Sequence, residues 1–353
     1  MIVNISEYFR YSRNIHKKIN KNFIFVFFDM IFCRLICKIG PKYYVLFSLY
    51  NKTYKERKNY ILNPCVHRYQ ESLNPKEFRY LAYNKFEFHN KCLDNGIPTP
   101  EILAVIDRRK GHYESVSHIS SKEQLYKFLQ ENEGKELVFK LNEGSYGENL
   151  KAIKVDRHQF YDVGGKRFIS LDELCQFYLG EDKVFIVQPR LYPASFLNGV
   201  VLNNSLSTIR IATYVDNNGD VLVLYAYIKI PNGSNVHDNF NAGNFACNIN
   251  LQNGTLENAF CSIGAKDKVV EYVNHPVSGE KFSDITIRQW EEVLNDTKSA
   301  AKKFLPLRTL GWDVALTDNG VFFIETNCTY EVDMHQVAIN RGFRNFIEQA
   351  FKS

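Results

Sequence analysis

The chain has 353 residues, of which 45% are apolar and 14% aromatic, a composition that excludes a disordered protein and supports a large core over two or three subdomains. Its net charge of +5 is unevenly distributed, because residues 1–58 carry +9 and residues 59–353 carry −4. A basic excess confined to one end argues against a nucleic-acid-binding fold.

The cysteines indicate a reducing environment. There are eight, and none forms a C-x-x-C pair or takes zinc-finger spacing with histidine. Scattered thiols are typical of cytoplasmic proteins. We therefore expect a cytoplasmic protein without disulfides.

The segment at residues 22–37, NFIFVFFDMIFCRLIC, is strongly apolar but contains Asp29 and Arg34. It is shorter than the roughly 20 residues that span a bilayer, and no small-residue cleavage site follows it. We favour a buried helix that packs on the main domain. The alternative is a peripheral contact with the inner face of the membrane or with an anionic lipid-linked substrate. It depends on the flanking lysines, which are Lys17, Lys18, Lys21, Lys38 and Lys42.

Caps and periodicity predict the next elements in chain order. The segment at residues 84–89 leads into a helix that ends near Gly96, which suits a C′ position, and a strand follows at residues 101–107. Two capping boxes, Ser120 with Glu123 and Ser170 with Glu173, predict helices through residue 132 and over residues 171–179.

Between these helices, the sequence predicts a strand at residues 136–141, a loop at 143–148 and a strand at 150–155. Lys140 lies at an inward strand position, which costs stability unless an anion meets it. Gly144 and Gly147 free the loop backbone to approach phosphate oxygens. The pattern also fits an ordinary glycine hairpin with an edge lysine, and this stretch alone favours that interpretation.

Two further stretches carry candidate residues. A buried strand at residues 184–187 leads into Gln188-Pro189-Arg190-Leu191, and a long hairpin at residues 207–230 places Arg210 among apolar neighbours. A guanidinium in such a place usually binds a carboxylate or phosphate. Lys229 lies near the end of the second strand. The turn-rich segment at residues 232–244, with Asp238 and Asn239, is either a functional loop or a surface connection.

After a predicted amphipathic helix at residues 286–304, the stretch GWDVALTDNGVFFIETN predicts a hairpin of two short strands. We predict a three-residue turn, Asp318-Asn319-Gly320, because that register places Asp313 opposite Glu325. Asn327 then shares their face. Facing carboxylates with an amide oxygen suit Mg²⁺, although a solvated surface hairpin fits this stretch equally well.

The ordered set of motifs resembles the ATP-grasp superfamily, and within it the sugar-transfer-associated branch related to alpha-L-glutamate ligase-like proteins. The matching text runs over residues 78–335 and includes YNKFEFHNKCLDNGIPTP, VFKLNEGSYGENL, SLSTIRIATYV and LGWDVALTDNGVFFIETN. The resemblance implies an α+β fold in which two lobes sandwich ATP, preceded here by a helical basic segment. The implied domains are residues 1–75 and an ATP-grasp domain, 76–353, with subdomains at 76–135, 136–192 and 193–353.

The resemblance also implies roles for residues. ATP contacts are expected from a set of polar, charged and hinge residues, namely Lys85, Lys140, Glu143, Gly144, Ser145, Gly147, Gln188, Leu191, Asp238 and Asn239. Asp313, Glu325 and Asn327 would hold Mg²⁺, and Arg210 with Lys229 would stabilise the transferred phosphoryl group. The chain departs from the common pattern at Ser195, where an acidic ribose ligand is usual, and at Gly311, where many relatives have arginine.

These features predict an ATP- and magnesium-dependent ligase that couples a carboxylate to an amine in surface-polysaccharide or glycoconjugate biosynthesis. Its partners would be small-molecule or glycan-linked substrates and no nucleic acid. One alternative is an ATP-grasp kinase that phosphorylates a sugar or another acceptor. The other is a non-catalytic, nucleotide- or membrane-associated glycan-assembly factor.

Overall fold

The structure, a computed structural model, describes residues 5–109, 113, 116–144, 149–156, 159–180, 182–202, 204–232, 244–263 and 268–351. Its N-terminal part is helical. Seven helices precede the first strand: α1 Ile5–Ile19, α2 Phe23–Cys37, α3 Pro41–Leu46, α4 Tyr54–Lys58, α5 Asn63–Leu73, α6 Tyr80–Tyr83 and α7 Lys85–Asp94. None of the helices in the described residues has the length and hydrophobicity of a membrane-spanning segment.

A first sheet follows, with seven strands in the order β2-β1-β7-β3-β4-β5-β6. Its strands are β1 Ala104–Ile106, β2 Ser117–Ile119, β3 Glu136–Leu141, β4 Lys151–Asp156, β5 Gln159–Asp162, β6 Arg167–Ile169 and β7 Phe185–Pro189. Helices α8 Lys122–Glu131 and α9 Leu171–Leu179 contribute Leu125, Leu129 and Leu174 to one core with this sheet.

A second sheet takes up the C-terminal half, in the order β12-β11-β10-β9-β8-β13-β14. Its strands are β8 Thr208–Val215, β9 Val221–Ile230, β10 Phe245–Ile249, β11 Leu256–Ile263, β12 Lys268–Tyr272, β13 Thr309–Thr317 and β14 Gly320–Asn327. Three helices accompany it, α10 Trp290–Lys303, α11 Asp333–Ala338 and α12 Arg344–Ala350.

The second sheet is covered on both faces. Ile209 and Ile211 of β8 pack into a core with α10, whereas Ala212 and Tyr214 pack into a core with the N-terminal helices and with α11 and α12. The side chain of Gln336 exchanges hydrogen bonds with the backbone of Ile61, at 3.0 and 2.8 Å. The N-terminal helices are therefore fixed to the sheet face on which Arg210, in phase with Ala212, also lies.

Local sequence signals placed most elements correctly. The Ser170 and Glu173 capping box begins α9 as predicted, and Gly96 follows α7 with a φ of 63°. The other capping box was misplaced by one residue, because Ser121, not Ser120, caps α8 with Gln124. The strand predicted at 101–107 spans only Ala104–Ile106.

Helix α2 differs from the favoured expectation of a buried helix. Val26, Met30 and Cys33 are buried, but the opposite side of the helix is exposed and apolar. The sequence could not distinguish these sides, because both are apolar.

Candidate functional site

The hairpin of β13 and β14 places Asp313 directly opposite Glu325, as predicted. The predicted three-residue turn is wrong. Thr317 pairs with Gly320, so the turn has two residues, and a β-bulge between Asp313 and Val314 restores the facing pair. Because Gly320 pairs with Thr317, it is the first residue of β14 instead of part of the turn, and its φ of 117° is a conformation that a residue with a side chain rarely takes.

Asp313 is held by two cations from neighbouring strands. Arg210 lies opposite it on β8, and the guanidinium donates to both carboxylate oxygens, at 2.6 Å from Nε and 3.0 Å from Nη2. Lys229 Nζ of β9 lies 3.1 Å from Asp313 Oδ2. The second sheet therefore brings together Arg210, Lys229 and Asp313, three of the candidates from sequence.

The charges of this cluster stabilise one another. Burial alone would raise the pKa of Asp313, but Arg210 and Lys229 outweigh it and hold that pKa well below its ordinary value. Burial likewise disfavours charged Arg210, yet Asp313 keeps the pKa of the guanidinium above its ordinary value. Asp313 is therefore a carboxylate at any physiological pH and can accept from a cation.

The first sheet contributes Lys140, and α7 contributes Lys85. Lys85 Nζ donates to the carbonyl of Gly144 at 3.0 Å and lies 3.6 Å from Glu325 Oε2. Asn84, the N-cap of α7, donates to Glu143 Oε1 at 2.9 Å. The start of α7, the loop after β3 and the end of β14 thus meet at one place.

Lys140 is buried with an exposed fraction of 8%, and β3 lies between β7 and β4, so the edge lysine that this stretch alone favoured is wrong and the inward position is correct. Burial, together with the like charge of Lys85, lowers the pKa of Lys140 to about 8, although Glu325 and Asp313 act in the opposite sense. An ammonium group in this position favours binding of an anion, because the anion would compensate for lost hydration.

The predicted hinge residues follow β7. Gln188 is buried and donates from Nε2 to the carbonyl of Pro100 at 3.0 Å, so its amide holds the segment before β1. Leu191 is half-buried in the extended segment after β7. Four other candidates, Ser145, Gly147, Asp238 and Asn239, lie outside the described residues.

The three predicted magnesium ligands lie on β13 and β14 of the second sheet. Asp313, Glu325 and Asn327 supply two carboxylates and an amide, the ligand types that Mg²⁺ prefers. The side-chain amide nitrogen of Asn327 is buried and has no hydrogen-bond partner within the described residues. No hydrogen bond from this nitrogen to those residues therefore fixes the orientation of the side chain. Among the residues that the structure describes, no cluster of three or more His, Cys, Asp or Glu side chains could hold a metal. The predicted set does not meet this criterion, because only Asp313 and Glu325 are of these types.

Sequence reasoning missed one residue of the site, Tyr227, and noted Gly311 without a structural explanation. Tyr227 pairs with Arg210 across β8 and β9, and burial raises the pKa of its hydroxyl to about 12. Its spacing of two residues from Lys229 could have indicated the shared face. Glycine is required at position 311 for a steric reason, because a Cβ there would lie 2.6 Å from Tyr330 Cβ. That contact leaves no room for an arginine, and Arg210 reaches the carboxylate from the next strand instead.

Known structures resemble parts of this chain at low identity. An ADP complex of purK, N5-carboxyaminoimidazole ribonucleotide synthetase, is 12% identical with a TM-score of 0.41, over 71% of this chain and 46% of that one. D-alanine-D-alanine ligase from Helicobacter pylori is 12% identical with a TM-score of 0.43, over 77% and 61%. D-cycloserine synthetase DcsG is 13% identical with a TM-score of 0.44, over 79% and 73%. The chain thus spans about half the length of the first of these structures. TM-scores this low support no conclusion about this chain.

Comparison with curated proteins gives no match. The family comparison is decisive, because the sequence matches sugar-transfer associated ATP-grasp over residues 65–352, a longer stretch than the motifs alone indicated. The match confirms the resemblance and, with the two sheets and N-terminal helices, the predicted fold class. The chain therefore belongs to the sugar-transfer associated ATP-grasp family.

Proposed function

We propose that this chain is an ATP- and magnesium-dependent ligase that activates a carboxylate as an acyl phosphate and couples it to an amine. The observation that carries the proposal is the convergence, within the described residues, of four cations, Lys85, Lys140, Arg210 and Lys229, on the carboxylates of Asp313 and Glu325. This excess of positive charge suits the phosphates of a nucleoside triphosphate. Family membership supports ATP as its source.

The reaction needs positioning and charge compensation more than a protein nucleophile. A substrate carboxylate oxygen attacks the γ-phosphorus of ATP, the bond to the β-phosphate oxygen breaks, and ADP leaves. The amine then attacks the acyl carbon, phosphate leaves with its oxygen, and the amine proton passes to solvent. Magnesium, when bound, would neutralise phosphate charge.

The residues take distinct parts in this proposal. Lys85 and Lys140 bind the phosphates, and the bound anion offsets the cost of burying the ammonium group of Lys140. Arg210 and Lys229 keep Asp313 ionised, and in this proposal they also stabilise the charge of the transferred phosphoryl group. Asp313, Glu325 and Asn327 are the proposed magnesium ligands.

The cellular role is proposed on the family description, which associates these chains with sugar transfer. We propose substrates that are small or glycan-linked carboxylates and amines of surface-polysaccharide or glycoconjugate biosynthesis, and a cytoplasmic location, where ATP is available. We retain the division at residues 75 and 76, and the subdomain boundaries after residues 135 and 192, as part of the same proposal.

The test is thermal stability with and without Mg-ATP, for the wild type and for Glu325→Ala. Ligand at about 100 times its dissociation constant adds roughly 2.7 kcal/mol to the free energy of unfolding. We expect a magnesium-dependent rise in melting temperature that Glu325→Ala abolishes. The control Glu291→Ala, which changes an exposed residue of α10, should preserve the rise. A folded wild type with no rise would refute nucleotide binding and favour a non-catalytic factor.

Product analysis separates the ligase from a kinase. With candidate carboxylates and amines, the ligase forms ADP, phosphate and an amide together. Formation of ADP with a stable phosphorylated alcohol, and no amide, would overturn the ligase proposal in favour of a kinase.

A further inference from the structure

Helix α2 is apolar on two opposite sides. Val26, Met30 and Cys33 face the protein and are buried. The opposite side exposes 45% to 63% of each of six large apolar residues, Ile24, Phe25, Phe28, Phe32, Leu35 and Ile36. Their spacing of three and four residues gives one continuous stripe along the helix.

The carboxylate of α2 does not interrupt this stripe. Asp29 is directed toward the protein, where its side chain is 13% exposed. It pairs with Arg57 Nη1 at 2.7 Å and accepts a hydrogen bond from the hydroxyl of Tyr44. Arg34 donates to the carbonyl of Lys38 at 3.1 Å, at the end of the helix. A helix of this composition therefore presents an outer side that is apolar through most of its length.

Helix α1 widens the exposed area. Ile5 and Phe9 are 58% and 49% exposed, and the ring of Phe9 lies 4.6 Å from that of Phe27 and 5.9 Å from that of Phe23. We call the exposed residues of the two helices the α1–α2 face: Ile5, Phe9, Ile24, Phe25, Phe28, Phe32, Leu35 and Ile36. Contiguous exposed apolar surface of this kind usually marks an interaction site.

The charges around the α1–α2 face select the partner. Arg10, Arg13 and Lys17 are exposed on α1, and Lys38 and Lys42 are exposed beyond the end of α2. Residues 1–58 carry +9, so a second copy on this face would bring two strong positive charges together. The complementary partner is apolar and anionic at once.

We propose that the α1–α2 face lies on an anionic lipid bilayer, with its helices parallel to the membrane plane. At 15 residues, α2 is too short to cross the roughly 30 Å hydrocarbon core. Its apolar stripe enters the boundary between headgroups and acyl chains, while the flanking Lys and Arg meet lipid phosphates.

Docking would hold the catalytic lobe at the membrane surface. The N-terminal helices pack on the same face of the second sheet that carries Arg210. A substrate with a lipid tail would then be presented beside the site. The face shares no residue with the nucleotide site, so vesicle binding and ATP binding can fail independently.

The experiment is flotation of the full chain with vesicles of phosphatidylcholine, alone or mixed with phosphatidylglycerol. We expect binding to the anionic vesicles and a partition coefficient at least about tenfold lower for the double variant Phe25→Ser, Phe28→Ser, since each of these rings would be buried in the membrane. The matched control is Phe168→Ser, which changes a ring 64% exposed on the first sheet. It leaves vesicle binding unchanged.

A second pair of variants tests the charges. Lys38→Gln with Lys42→Gln lowers binding to anionic vesicles by about fivefold per charge, and added salt reduces wild-type binding. Lys302→Gln, exposed on α10, has no effect.

Three results would overturn the proposal. The first is a wild type that does not float with anionic vesicles. The second is equal binding by the wild type and the double phenylalanine variant at equal melting temperature. The third is a wild-type dimer that this variant dissociates, without any vesicle binding, which would assign the face to a second copy.

Discussion

Replacing Lys140 with methionine is expected to stabilise the empty protein and to abolish its response to Mg-ATP. Lys140 is 8% exposed, and its pKa falls from 10.5 to about 8 because burial and Lys85 disfavour its charge. Each pKa unit corresponds to about 1.4 kcal/mol, so the buried ammonium costs about 3 kcal/mol at neutral pH. Methionine fills similar space without that cost, and it cannot bind phosphate.

The cost of burying Lys140 makes the stability of the folded protein depend on pH. Between about 8 and 10.5 the unfolded chain holds a proton on Lys140 that the folded chain has lost, so stability rises with pH across this window. The cost is complete below pH 8 and disappears toward pH 10.5. The advantage of Lys140→Met over the wild type should therefore shrink as the pH rises through this window.

Thermal and urea unfolding with and without Mg-ATP measure both effects. The matched control is Lys154→Met, an exposed lysine on neighbouring β4, which should alter neither stability nor the nucleotide response. A Lys140→Met protein that is less stable than the wild type at neutral pH would refute the burial argument. A variant that keeps the full Mg-ATP shift would refute phosphate binding by Lys140.

Three further predictions follow from buried contacts. Asp313→Asn leaves Arg210 buried without its anionic partner and should lower the free energy of unfolding by about 3–5 kcal/mol in urea titrations. Gly311→Ala places a Cβ 2.6 Å from Tyr330 Cβ and should cost about 1–3 kcal/mol, seen as a lower melting temperature. Burial lowers the pKa of His335 from 6.5 to about 3, so its unfolded form gains a proton first and stability is lost as pH falls through this range. His335→Phe should remove that part of the acid sensitivity in unfolding measured over a pH series.

The first two predictions have a control on the same chain. Asp220→Asn changes an exposed carboxylate in the turn after β8 and should be nearly neutral. Gly40→Ala adds a Cβ whose nearest neighbour is 4.0 Å away, at a φ of −82°. A stable Asp313→Asn protein, an unaltered melting temperature for Gly311→Ala, or a constant difference between His335→Phe and the wild type from pH 6.5 to 3 would contradict the respective argument.

Local chemistry in the sequence was sufficient for many single elements. The serine of α9 and the glycine after α7 act through hydrogen bonds and backbone freedom within a few residues, so their positions could be predicted without knowledge of the fold. The ordered motifs also indicated the family that the match over residues 65–352 establishes.

The tertiary structure decided what depends on partners distant in the chain. Asp313 faces Glu325 through a β-bulge, whose position no turn propensity specifies. The ion pair of Arg210 with Asp313 joins residues 103 positions apart, and only strand order brings them together. Helix α2 has apolar residues on both sides, and packing against the rest of the N-terminal core determines which side is buried. Sequence thus determined which residues could do the chemistry, while long-range pairing determined which of them meet, because contact energies depend on neighbours that periodicity does not identify.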